Sequence, residues 1–288
     1  MSLNASSVSA TMALMTCSSC GGNSVVALGG VVVMDRSSNL DIGRGQYLGP
    51  KSLVRNCLDI VGVRRQYRTA VTDSVTSFTN DVRILVRDLL DGIYELPPSS
   101  WDEMAGILAW SRWETAEHLA DDLLTYGARL AAPGYPHDIP FATSQRRAGA
   151  PDELVHAGRD SGPEGLAAVI EAAANLFVAV AEAASPDINP AHVFGRTGAE
   201  GFAAMSVVEL IVHGHDLFAG TGVDWAPADA TCGRVLARLF PDVDVENVEF
   251  DTLLWATGRL ELPGRERRTD WRWYNQRSDG PVVDLYTT

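Results

Sequence analysis

The sequence contains a single lysine, Lys51, and all its other basic residues are arginines. Aspartate and glutamate together number 37 against 23 basic residues, which gives a formal net charge of −14. Catalysis through a lysine Schiff base is therefore nearly excluded. The acidic balance also argues against nucleic acid or an anionic membrane surface as a partner, because both bind best to positively charged proteins.

Cysteines are also few, with four in 288 residues. Cys17 and Cys20 form one CxxC motif without a second pair, which predicts a free, reduced dithiol. A redox-active pair or half of a zinc knuckle is the alternative. Cys57 and Cys232 add no recognisable disulfide framework, so a reducing, cytoplasmic location is expected.

The one apolar run of residues 1–66 is too short to cross a bilayer. The apolar run Val25–Met34 is interrupted by Gly29 and Gly30 and is too short for a spanning helix. The first cationic residue is Arg36, whereas a secretory signal begins with positive charge. The sequence therefore predicts neither export nor membrane insertion.

Apolar periodicity predicts an all-α protein with four long helices joined in one bundle. Residues 1–66, rich in Ser, Gly and Asn, are expected to form a flexible N-terminal extension, residues 67–225 the bundle, and residues 226–288 a small C-terminal region packing on it. Residues 132–163 are rich in Pro, Gly and charge, which predicts a long crossover that makes helices two and three parallel. The predicted helices cover Arg68–Ile93, Ser99 or Ser100 to Leu130, Gly165–Ala184 and Gly201–Gly222, with a short fifth helix within Val248–Arg259.

The fourth predicted helix carries charge inside an apolar run. Glu209 and His213 are four residues apart and share one helical face, to which Asp216 returns, whereas His215 points elsewhere. A buried carboxylate beside a buried imidazole must be paired or must bind a metal ion. Two hypotheses follow: a zinc-like site, or a structural arrangement in which Glu209 meets an arginine and His213 a backbone carbonyl.

The second predicted helix offers one further imidazole, His118, near its middle. Together with Glu209 and His213 it would leave a tetrahedral metal with one open position, as in catalytic rather than structural sites. Glu114 and Asp122, each four residues from His118, are candidates for orienting its ring.

Three arginines lie in the predicted crossover or at its end. They are Arg146, Arg147 and Arg159, and they are predicted either to hold a substrate carboxylate or, more simply, to remain solvated.

Three motifs occur together in this order: WETAEHL at 113–119, VVELIVHGHDLFAGTG from Val207, and LLWATGRLELPGRERRTDWRW from Leu253. Over about residues 70–275 this combination resembles the mycothiol-dependent maleylpyruvate isomerase family, within the DinB-like superfamily of metal-binding four-helix bundles. His215 stands where that family often has tryptophan, and the N-terminal extension has no counterpart in the resemblance.

The resemblance implies a divalent metal, usually zinc, bound by His118, Glu209 and His213. It further implies mycothiol, the thiol of high-GC actinobacteria, as cosubstrate and a small electrophile as substrate. In the expected reaction of a transferase or isomerase, a metal-bound thiolate attacks that electrophile. The alternatives are a metallohydrolase that uses a metal-bound hydroxide, and a non-catalytic binding or carrier module.

Overall fold

The computed structural model describes residues 25–27, 30–32, 50–245 and 248–275, and the chain divides into two compact units, 1–59 and 60–288. In the first unit, strand β1 (Val25–Ala27) pairs antiparallel with β2 (Gly30–Val32). The dithiol predicted at Cys17 and Cys20 lies outside the described residues, as does most of the predicted N-terminal extension. The domain boundaries at residues 66 and 225 stay predictions.

The second unit is helical, which confirms the all-α bundle predicted from the sequence. Its long helices match the predicted ones in number and order. The helices are α1 (Pro50–Glu95, which begins before the unit), α2 (Arg112–Ala131), α3 (Gly162–Ala183), α4 (Ala199–Phe218), α5 (Asp229–Leu239) and α6 (Glu249–Ala256), with short 3-10 turns at Pro98–Asp102 and Arg159–Ser161.

Helix α2 begins about twelve residues later than Ser99 or Ser100, so that predicted start is wrong. Ser111 is the N-cap: its side chain accepts from the backbone N–H of Glu114, and the Glu114 carboxylate accepts from the backbone N–H of Ser111. This capping box satisfies two backbone donors that would otherwise lack partners. The residues before it form a loop that turns at Gly106, where φ is +53°.

Helix α4 lies at the centre of the bundle, and nearly all its side chains are buried. Arg112, at the start of α2, donates to the carbonyl of Leu217 at the end of α4, while Tyr126 near the end of α2 packs on Phe202 near the start of α4. Helices α2 and α4 therefore run antiparallel. Gly127, near the end of α2, approaches the backbone of Phe177, near the end of α3, as expected if these two helices run parallel.

The crossover between α2 and α3 is held to α2 by buried carboxylates. Glu117 accepts from the backbone N–H of Ala157 at 2.7 Å, and Asp121 accepts from the backbone N–H groups of Leu154 and Val155 at 2.7 and 2.8 Å. Such bonds satisfy loop donors that would otherwise be buried without partners.

Three arginines of this region form ion pairs that also hold the crossover in place. Arg146 pairs with Glu117, Arg147 with Glu114, and Arg159 with Asp102. The side chains of Arg147 and Arg159 are nevertheless 43% exposed, as expected for solvated loop charges. The role of the three arginines as a substrate clamp stays a prediction.

The C-terminal region packs on the bundle through α5, a helix that the sequence analysis missed. Arg234 of α5 pairs with Asp81 of α1, and Arg238 pairs with Glu200 at the start of α4. Helix α6 lies within the predicted short helix, with Leu253 and Leu254 buried.

By length and composition, the stretch Arg159–Ala183 is apolar enough to cross a membrane. It contains α3, which packs along α2 and buries Ile170 and Phe177 completely. A core helix of a bundle has this same composition, so the stretch is explained by its packing.

Candidate metal centre

Glu209 and His213 lie on the face of α4 that is directed toward α2. The His213 Nε2 is 3.2 Å from Glu209 Oε2, and both side chains are about nine-tenths buried. The four-residue spacing places the two groups one turn apart on the same face, as the sequence predicts. The alternative, in which Glu209 pairs with an arginine, is not seen among the described residues. The Glu209 carboxylate lies against the imidazole of His213 instead.

Helix α2 brings His118 opposite this pair. The imidazole centroids of His118 and His213 are 4.9 Å apart and their rings are nearly perpendicular. One nitrogen of each histidine and one oxygen of Glu209 all lie within 4.8 Å of one another. The three residues that the sequence and the resemblance nominated therefore lie close together, although the crossover and α3 separate α2 from α4 in the chain.

His118 is oriented by two carboxylates, on opposite sides of its ring. Its Nδ1 lies 2.7 Å from Glu153 Oε1, and its Nε2 lies 3.3 Å from Asp122 Oδ2. Asp122 was predicted to contact this ring, whereas Glu153 was not considered. Glu114 was also predicted to orient the ring, but it instead caps α2 and pairs with Arg147, so that prediction is wrong.

His213 has a comparable arrangement on α4. Its Nδ1 lies 3.3 Å from Asp216 Oδ2, three residues further along the helix. Asp216 in turn accepts from Arg259, which follows α6, at 2.8 Å. A carboxylate behind each histidine fixes the ring orientation and leaves the opposite nitrogen for a metal, a recurrent feature of histidine-ligated centres.

Trp110, at the end of the loop before α2, forms one wall of the centre. Its ring centroid is 4.9 Å from that of His118 and 5.9 Å from that of His213, and it stacks on the latter. The turn at Gly106 brings this loop against Asp216, because a Cβ there would meet the Asp216 Cα at 3.2 Å. The indole therefore limits access to the centre from this side.

The electrostatics of the centre are dominated by carboxylates. Burial by itself lowers the pKa of His118, but Asp122, Glu153 and Glu209 together raise it to about 10. Burial raises the pKa of Asp122 well above its ordinary value, and nearby Glu209 and Glu153 add to the effect. The carboxylates around the two imidazoles therefore disfavour one another's ionised forms, and a bound cation would stabilise those forms.

The pKa of Glu209 is shifted the other way. Burial opposes its ionised form, but His213 and His118 bring the pKa below its usual value. An ionised Glu209 is the form that binds a metal.

These residues fit a divalent metal ion. Two imidazole nitrogens and a carboxylate oxygen are the donor types that zinc and similar first-row ions take in proteins. Among the described side chains, no well-directed hydrogen-bond donor reaches the buried Asp122 Oδ2. Buried polar atoms without partners are rare in native proteins unless an ion or water satisfies them.

His215 lies on the other side of α4, away from the centre. It is partly buried, and its ring meets that of Phe250 edge-on at 6.2 Å. Burial lowers the pKa of His215, whereas at His118 the neighbouring carboxylates outweigh burial and raise the pKa. The prediction that it cannot join Glu209 and His213 is confirmed.

Glu153, Trp110 and Arg259 are the parts of the centre that sequence reasoning missed. Glu153 and Trp110 lie in loops, whose conformation no periodic pattern predicts. Arg259 lies in the WATGR sequence of the third motif, which marked this residue without revealing its role.

Residues 82–218 match the family model described as Mycothiol maleylpyruvate isomerase N-terminal domain. Two crystal structures align with this chain: the mycothiol-dependent maleylpyruvate isomerase, at 14% identity and a TM-score of 0.49, and a single-residue mutant of that enzyme, at 13% and 0.48. Each alignment covers 67% of this chain and 97% of the other. A search of curated proteins found no match.

Proposed function

From the match of residues 82–218 to this family model, we propose that the chain is a member of the mycothiol-dependent maleylpyruvate isomerase family and acts as a metal- and mycothiol-dependent isomerase or transferase. The substrate is a small electrophile, and the metal is a divalent ion, with zinc the first candidate. The observation that carries the proposal is the convergence of His118, Glu209 and His213 within 4.8 Å at a buried position between two helices. Nothing in the acidic composition favours nucleic acid as a partner, and we propose a cytoplasmic location.

The proposed chemistry needs a thiolate near neutral pH. A divalent ion held by two neutral imidazoles and one carboxylate supplies net positive charge, which favours the deprotonated form of an adjacent thiol. In an isomerase the thiolate adds to an activated double bond and later leaves, whereas in a transferase it stays on the electrophile.

The protein's own residues prepare this site in three ways. Glu153 and Asp216 hold the two imidazoles so that their opposite nitrogens point inward. Arg259 neutralises Asp216 and keeps that carboxylate in place. Trp110 covers part of the centre and excludes water, which strengthens electrostatic interactions inside.

Two measurements on the purified full-length protein test the proposal. We expect about one equivalent of a divalent metal per chain, lost in a His213→Ala variant and retained in His215→Ala, which removes an imidazole from the other side of the same helix. We also expect maleylpyruvate or a related unsaturated acid to be consumed with mycothiol but not with glutathione or cysteine.

Other results would point to the alternatives. Turnover of an ester or amide with metal but without any thiol would identify a metallohydrolase. Protein purified without a stoichiometric ion, and unable to take up zinc, would contradict the proposal and favour a binding or carrier module.

A further inference from the structure

Asp122 lies closer to the proposed metal position than an orienting role requires. It follows His118 by four residues on α2, so both side chains are directed to the same face of the helix. Its Oδ2 lies 3.3 Å from His118 Nε2, the nitrogen left for the metal when Nδ1 is held by Glu153. Asp122 therefore adjoins the metal-facing atom of His118.

The two helices present matching pairs to the centre. His118 and Asp122 are spaced by four on α2, and Glu209 and His213 are spaced by four on α4. Because the helices run antiparallel, the two histidines share one level and the two carboxylates share the level one turn away. Helix α2 thus places Asp122 beside the group formed by His118, Glu209 and His213.

The distance within each pair fits two ligands of one metal ion. Zinc binds nitrogen and oxygen at about 2.0–2.2 Å, so two tetrahedral ligands are about 3.3–3.5 Å apart. The His118–Asp122 pair is separated by 3.3 Å and the Glu209–His213 pair by 3.2 Å. Each pair is therefore spaced as two neighbouring ligands of one ion.

The Asp122 Oδ2 also lacks another use. It is shielded from solvent, and no donor among the described residues makes a well-directed hydrogen bond to it. A buried carboxylate oxygen without a donor is costly unless it binds a cation. Glu153, by contrast, already bonds His118 Nδ1, and Asp121 bonds the backbone of the crossover.

We propose that Asp122 Oδ2 is a fourth protein ligand of the metal, so that the resting centre has two histidine and two carboxylate ligands. The inference rests on the proposed function only in requiring that a divalent ion be bound. A second carboxylate makes the ion–ligand set neutral and shifts the preference toward harder ions such as manganese or ferrous iron, relative to a three-ligand site. Displacement of Asp122 by an incoming thiol would restore the net positive charge on which the proposed thiolate chemistry depends.

The decisive experiment is a crystal structure of the zinc-loaded full-length protein, with the ion located by its anomalous signal. An Asp122 oxygen about 2.0–2.2 Å from the ion supports the proposal. An ion bound by His118, Glu209 and His213 with both Asp122 oxygens beyond about 3 Å overturns it and leaves the proposed function intact. Absence of any ion after zinc loading overturns both.

Solution measurements give an independent test. We expect Asp122→Asn to weaken zinc binding by more than about 100-fold in a chelator competition, beyond the range of about 10–100-fold usual for residues that only orient a ligand. The cobalt-loaded variant should also differ in its visible absorption spectrum, because a ligand has been lost. Asp152→Asn, an exposed aspartate of the crossover, is the charge-matched control and should leave both readouts unchanged.

Circular dichroism of the metal-free variants establishes that they are folded before affinity is compared. Asp122→Glu keeps the carboxylate and should recover part of the affinity. Wild-type affinity and an unchanged cobalt spectrum in Asp122→Asn would contradict the proposal.

Discussion

Glu153 Oε1 lies 2.7 Å from Nδ1 of His118, although the two residues are 35 positions apart in the chain. Glu153 is placed there by the crossover, in a short antiparallel bridge with Ser144, and its side chain is buried. The crossover is thus both a connection between α2 and α3 and a part of the candidate metal centre.

Replacing this carboxylate tests its role in orienting His118. We expect Glu153→Gln to weaken zinc binding by about 10–100-fold, because the neutral amide stabilises the correctly oriented imidazole less than a carboxylate does. Chelator competition measures the effect. The neighbouring Asp152→Asn change serves as the control, and equal affinities for the Glu153→Gln variant and the wild type would show that Glu153 does not act on the metal centre.

The pair between Arg259 and Asp216 should contribute strongly to stability. Both side chains are more than nine-tenths buried and 2.8 Å apart. Arg259→Gln leaves a buried carboxylate without its charged partner, so we expect the free energy of unfolding to fall by about 3–5 kcal/mol. Urea denaturation at pH 7 measures the loss. In Arg268→Gln, which breaks the more exposed pair with Asp242, the loss should be under about 1 kcal/mol.

The loss of stability in Arg259→Gln should also depend on pH. Burial opposes ionisation of Asp216, but His213 and Arg259 bring its pKa below the usual value. A carboxyl whose pKa is lower in the folded state stabilises above its unfolded pKa and loses that contribution as pH falls through the folded pKa. The difference between wild type and Arg259→Gln should therefore narrow in acid, and a constant difference would contradict this origin.

We expect buried His192 to make the protein less stable in mild acid, independently of the Arg259–Asp216 pair. Burial, reinforced by Arg129, lowers its pKa from 6.5 to about 4, and its Nδ1 lies 2.9 Å from Asn275 Nδ2. Between these two values the unfolded state binds a proton that the folded state does not, so stability falls as pH falls from about 6.5 to 4. The slope attributable to this residue is at most about 1.4 kcal/mol per pH unit.

The measurement is the free energy of unfolding of the metal-free protein at several pH values in this window. His192→Gln should reduce the slope, although it removes a packed side chain. His137→Gln alters an exposed histidine and should retain the wild-type slope. An unchanged slope in His192→Gln would show that another group is responsible.

Gly214, between His213 and His215, is required by packing. A Cβ at this position would overlap the indole of Trp225, whose Nε1 donates to the carbonyl of Ile211. We expect Gly214→Ala to lower the free energy of unfolding by about 1–3 kcal/mol, as for other overpacked core positions. Gly134→Ala has no heavy atom within 4 Å of the added carbon and should change stability by about 0.5 kcal/mol or less.

Local patterns in the sequence were sufficient to predict the helices and the pairing of Glu209 with His213. Helical periodicity depends on residues three and four apart, so it can be recognised without knowing the fold. The same information predicts the stop of α4, where Gly220 and Gly222 have positive φ. The capping box at Ser111 and Glu114 is also local, and its sequence pattern would have corrected the start of α2.

His118 was a candidate by its position on a core helix, and the family resemblance selected it. Its approach to His213, by contrast, depends on how α2 packs against α4, because two faces on separate helices meet only in the folded bundle.

The tertiary structure alone determined what surrounds the three candidate ligands. Glu153 reaches His118 because Asp121 and Glu117 hold the crossover against α2, and Arg259 reaches Asp216 because the C-terminal region packs on the bundle. These contacts join residues far apart in the chain through irregular segments, whose course is set by the hydrogen bonds and packing of the whole fold. The sequence by itself therefore determined the helices and the local ligand spacing, whereas the charge and orientation of the centre were decided only when the loops folded onto it.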